Sequence, residues 1–105
     1  MFKIRKLTNS EEKIMNTLWS ANQPLSGKEI SKITPDITKG VVSETLTRLL
    51  KKKAIKINEI KIVNKSLTRF YQPLISEEDY FTAIVPERVL KKLLDNFAAK
   101  FEKEN

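Results

Sequence analysis

The chain has no cysteine and no histidine among its 105 residues. Without cysteine there is no disulfide framework and no thiolate metal site, which fits a reducing compartment, and the cytoplasm is the expected location. Without histidine the commonest metal ligand and the commonest general acid–base group are both missing. Carboxylates, lysine and tyrosine remain for chemistry, and the sequence places no convincing carboxylate pair in a cleft. No catalytic residue, metal ligand or cofactor is therefore expected, and the chain reads as a non-enzyme. Two glycines and four prolines are too few for a many-turned β sandwich or a disordered chain. No segment approaches the ~18 consecutive apolar residues of a membrane span. The opening MFKIRKLTNSEE lacks the apolar core of a signal peptide. No membrane insertion is expected.

What the chain does have is positive charge in one place. Residues 39–69 carry nine Lys/Arg against Glu44 and Glu59, a net +7. Residues 1–38 are +2 and residues 70–105 are −2, so one segment holds the whole net charge of +7. Such a surface on an otherwise near-neutral chain suits a polyanion, because summed charge steers and holds a phosphate backbone. The length allows one domain with a short appendage.

The local signals predict three helices and then a hairpin. Thr8 and Glu11 form a capping box for a first helix over about 8–21, with Ile14, Met15, Leu18 and Trp19 on one face. Ser26 and Glu29 repeat the box for a short helix over 26–33, with Ile30 and Ile33, and Leu25 just ahead, turned inward. A third helix over about 38–52 or 53 places Val42, Leu46, Leu49 and Leu50 on one side. Gly40, Glu44, Thr47, Arg48 and Lys51 lie opposite, with Ser43 at the border. Residues 55–60 and 67–74 read as strands, and Val63-Asn64-Lys65-Ser66 reads as their turn. The expected fold is mainly α with a small β hairpin, a winged helix-turn-helix. Beyond it, Ser76 caps a further helix above Glu77, Glu78 and Asp79. Pro86 fits the first turn of a last helix. There Val89, Leu90, Leu93, Leu94, Phe97 and Phe101 form an apolar stripe with nothing obvious left to cover. A symmetric partner helix is the simplest cover, so homodimerisation is expected. The implied division is a DNA-binding domain at 1–75 and a helical dimerisation segment at 76–105.

The outward face of the third helix is polar and mostly small. Gly40, Val41, Ser43, Glu44 and Thr47 are the candidates for base edges: hydroxyls donate or accept, Val41 can touch a thymine methyl, and Glu44 can accept from cytosine N4. Lys39, Arg48, Lys51, Lys52, Lys65 and Arg69 are the candidates for phosphates. Taken alone, that face reads more readily as an ordinary solvated helix surface. The cations of the hairpin, with Lys56 and Lys61 among them, favour duplex DNA as the partner. Phe70 and Tyr71 could stack on single-stranded bases, but packing the wing on the core is the preferred reading. A second functional reading is a winged-helix module for protein–protein interaction, without specific DNA binding. Salt dependence separates the two.

Three runs of residues bear on this choice. Glu11, Ile14, Met15, Leu18 and Trp19 come first. Thr38 follows, with Thr47-Arg48-Leu49 and Lys51-Lys52. The third run is Tyr71-x-Pro73-x-Ile75-x-Glu77-x-Asp79-Tyr80. In this order and spacing they resemble the penicillinase-repressor family over about residues 7–101. The resemblance implies a homodimeric bacterial transcriptional repressor whose winged helix reads a palindromic operator and whose C-terminal helices dimerise. It also implies release by a regulatory protease at an Asn-Phe bond, for which Asn96-Phe97 is the candidate. Against that family the chain stops before a last helix, so a shortened dimerisation segment is expected.

Overall fold

Short polar caps and apolar stripes define the helices. The computed structural model describes residues 6–103, with side chains through residue 96. Helix α1 is Asn9–Ala21, strand β1 is Leu25–Ser26, helix α2 is Gly27–Ile33 and helix α3 is Lys39–Lys51. Strands β2 (Ile55–Val63) and β3 (Ser66–Pro73) form the wing, followed by α4 (Glu77–Ile84) and α5 (Glu87–Lys103). Both expected capping boxes are present: the Thr8 and Ser26 side chains cap α1 and α2, and Glu11 and Glu29 reach back to the cap amides. Thr38 caps α3 and Ser76 caps α4 through the amides of Val41 and Asp79. Each cap satisfies an amide that the first turn leaves without a partner.

Helix α3 ends in a Schellman motif. The Ala54 amide donates to Leu49 O at 3.0 Å and the Lys53 amide to Leu50 O at 3.1 Å. Lys53 adopts the left-handed φ of 60° that this motif requires. Ala54 and Leu49 are both buried, which supplies the usual apolar contact across the motif.

The three strands form an antiparallel sheet in the order β1-β3-β2. The two-residue β1 was not expected from the sequence; it is too short to show periodicity, and Leu25 and Ser26 pair with Tyr71 and Phe70. Asn64 and Lys65 close the wing with φ of 50° and 65°, the pattern of a two-residue type I′ turn. The wing is longer than the sequence reading: β2 runs to Val63, and β3 starts at Ser66 and ends at Pro73.

The core gathers Ile14, Met15 and Leu18 of α1, Ile30 of α2, Val42, Leu46 and Leu49 of α3, and Ile55 of β2. Two expected positions differ. Ile33 is 56% exposed at the end of α2, and Thr34 takes the inner place, its hydroxyl donating to Ile30 O at 2.8 Å. Leu50 is half-buried, while Thr45 is fully buried beside the expected stripe.

The core also continues past residue 75. Ile75 and Tyr80 are buried within it and Ile84 packs on its edge. The Trp19 indole N–H donates to Ile75 O at 2.9 Å, and the Leu7 amide donates to the Tyr80 hydroxyl at 2.9 Å. Trp19, Tyr80 and Phe81 have ring centroids 5.1–6.2 Å apart, within the range of favourable aromatic pairs. Helix α4 thus closes the winged helix rather than merely following it.

Candidate nucleic-acid interface

Helix α3 presents two unlike faces because its apolar residues recur at helical spacing. Gly40, Val41, Ser43, Glu44 and Thr47 are all exposed on its outward side. A Cβ at Gly40 would meet no atom within 4 Å, so that position is open to an approaching surface. The Thr47 hydroxyl donates to Ser43 O at 3.1 Å and remains free to accept. Lys39 and Lys51 are exposed at the two ends of α3, and Lys65 and Arg69 are exposed on the wing.

Arg48 and Lys52 are placed differently from these cations. Lys52 Nζ donates to both Glu11 carboxylate oxygens, at 2.9 and 2.7 Å. Arg48 lies 3.8 Å from Glu11 and 3.6 Å from Glu44, and donates to Thr45 Oγ1 at 3.3 Å. Glu11 is fully buried and also accepts the Thr8 amide at 2.9 Å. Burial pushes the Glu11 carboxyl up. The Lys52 hydrogen bond and the Thr8 backbone and hydroxyl bonds outweigh that and hold it below the ordinary value. One carboxylate therefore caps α1 and pins the C-terminal turn of α3. Sequence reasoning found only its capping role, because the 41-residue separation from Lys52 leaves no local signal.

A cleft between α2 and α3 adds residues that sequence reasoning passed over. Its lining includes Gly27, Lys28, Ser31, Lys39, Ser43 and Tyr71. Lys28 and Ser31 lie on the exposed side of α2, where their only sequence signal is polarity.

The wing carries Lys56, Lys61, Lys65 and Arg69 against Glu59. Lys61 sits 5.3 Å from the centre of the Phe70 ring and 3.2 Å from Glu59. Tyr71 packs against the core, and Phe70 is half-buried on the opposite sheet face. On α5 the described stripe residues Val89, Leu93 and Leu94 are exposed, and Leu90 is half-buried. The side chains of Phe97 and Phe101 lie outside the described residues, and Asn96 is exposed. Among the described residues no cluster of acidic side chains is arranged to hold a metal ion, and no helix is long and apolar enough to cross a membrane.

No curated protein matches the sequence. Among solved structures, the Vibrio cholerae ferric uptake regulator is similar in fold, with a TM-score of 0.53 at 17% identity. The alignment covers 92% of this chain and 81% of that one. The family model described as penicillinase repressor matches residues 7–103, from the Leu7 that bonds Tyr80 to the end of α5. The chain accordingly belongs to the penicillinase repressor family of transcriptional regulators.

Proposed function

We propose that the protein is a dimeric transcriptional repressor that binds a palindromic DNA operator through α3 and its basic wing. The observation that carries this reading is the outward face of α3. Five small or polar residues lie open there, with exposed cations at both helix ends and on the wing. Gly40, Val41, Ser43, Glu44 and Thr47 meet base edges in the major groove. Lys39, Lys51, Lys65 and Arg69 hold phosphates, and Lys28 joins them across the cleft. Lys52 and Arg48 reach the backbone from the same helix end, but their first task is to hold α3 against Glu11.

Helix α5 serves dimerisation, and α4 joins it to the winged helix. Val89, Leu90, Leu93, Leu94, Phe97 and Phe101 meet their symmetry mates, which places two α3 helices in successive major grooves about 34–36 Å apart. Cleavage of Asn96-Phe97 by a regulatory protease cuts this stripe and releases the operator. The direct test is a salt titration of binding to duplex DNA. Affinity should fall steeply and linearly on a logarithmic scale as salt rises. Absence of duplex binding at low salt would contradict the reading and favour a protein-interaction module.

A further inference from the structure

The wing carries an apolar strip that the core does not use. In β2 the isoleucines stand at 55, 57, 60 and 62, a spacing that simple alternation would split between the two sheet faces. A bulge between Ile57 and Glu59 changes this. Ile57 pairs with Tyr71 and Glu59 with Phe70, which leaves Asn58 as the extra residue. Past the bulge, Ile60 pairs with Arg69 and Ile62 with Leu67. Leu67, Arg69 and Tyr71 alternate along one face of β3, so Ile60, Ile62 and Leu67 share the face on which Tyr71 meets the helices.

Nothing covers that strip among the described residues. Ile62 is 76% exposed and Leu67 78%, the two most exposed large apolar side chains described. They form a directly opposed pair near the tip, between Lys65 at the turn and Arg69 below. Their face is the one that, at Tyr71, lines the cleft with Lys39 and Ser43 of α3. A partner held by α3 therefore meets this side of the wing.

We propose that Ile62 and Leu67 form an apolar wedge that enters the DNA minor groove beside the site read by α3 and bends the duplex. The inference rests on the DNA-binding reading above. Charge decides the occupant. An apolar protein surface would gain nothing from Lys65 and Arg69 flanking the pair. DNA matches both parts: phosphates meet the cations, and sugar walls and unstacked base faces meet the apolar pair. Apolar side chains, Ile and Leu among them, are what minor-groove binders insert at base steps, with kinks of roughly 20–90°. Easily unstacked pyrimidine–purine steps would be preferred under the wing, a selectivity that needs no base-edge hydrogen bond.

The test compares the wild type with an Ile62→Thr/Leu67→Thr double variant, which puts strand-favouring β-branched threonine at both exposed positions and should leave the melting temperature unchanged. The probe is an end-labelled duplex carrying the site that the wild type selects from a random pool. Bending is read from the end-to-end distance by energy transfer. The wild type should bend the duplex by at least about 20°, and the variant should still bind but lose most of that bend. Equal bending by both chains, or none by the wild type, overturns the wedge while leaving DNA binding intact. Failure of the wild type to bind any duplex overturns the underlying reading as well. A fall in oligomeric mass for the variant would assign the strip to a second copy of the chain and overturn the wedge.

Discussion

Glu11 ties the start of α1 to the end of α3. Its buried carboxylate is held by Lys52, by the Thr8 amide and more loosely by Arg48. Removing one partner from a buried charge costs more than the pair itself contributes, because the remaining charge stays desolvated. Lys52→Met should lower stability by about 2 kcal/mol, read as a fall in the urea midpoint at unchanged slope. Glu11 also sets a pH response. Its folded-state pKa is depressed, so its stabilisation is present above its ordinary value of 4.5 and is lost as pH falls through the lower folded value. Glu11→Gln should flatten the loss of melting temperature below that point. Asp36, lowered by its hydrogen bond to Lys13, should leave a residual slope. At the interface, Glu44→Ala should change the preferred sequence. Lys51→Ala should weaken all duplexes about equally and reduce the salt slope by about one. A change in preference alone from Lys51→Ala would show that the two roles are misassigned.

At the scale of elements, what was legible followed local chemistry. Thr8, Ser26, Thr38 and Ser76 announce four helix starts because a cap needs only a hydroxyl and a following amide. The stripe Val42, Leu46, Leu49 shows which side of α3 is inward, and so which side faces out. What escaped depends on partners distant in sequence or on backbone register. Strand β1 exists because β3 lies beside it. Ile33 is exposed because Thr34 can bond back to Ile30 and fill the inner place. The bulge at Asn58, which decides the face of Ile60 and Ile62, has no residue signature of its own. Lys52 reads as one more cation in a basic run until Glu11 is brought beneath it. Four described non-glycine residues take a positive φ: Asn22 after α1, Lys53 after α3, and Asn64 and Lys65 in the wing turn. Lys53→Gly relieves the left-handed conformation and should raise stability by about 0.5–1 kcal/mol, measured by thermal melting.

At the scale of the molecule, α4 decides how the parts communicate. Trp19, Tyr80 and Phe81 join α1 to α4, and the Tyr80 hydroxyl holds the backbone at Leu7. Anchored through Tyr80, α4 gives the α5 stripe an origin on the winged helix, which is what a dimer needs to set half-site spacing. The stripe itself was legible as periodicity, whereas the anchoring of α4 was not, because Tyr80 is separated from its partner Leu7 by 73 residues. Sedimentation at micromolar concentration should find a dimer, and Leu93→Asp a monomer, since Leu93 is exposed on α5 and a charge there could not be buried against a mate. A wild-type monomer would reject the stripe as an interface. The central claim is that the exposed face of α3 reads DNA as one half of a symmetric pair. In vitro selection from a random duplex pool tests it most directly. The account predicts enrichment of an inverted repeat with half-site centres one helical turn, about 34–36 Å, apart. A pool that remains random after selection at low salt would contradict it.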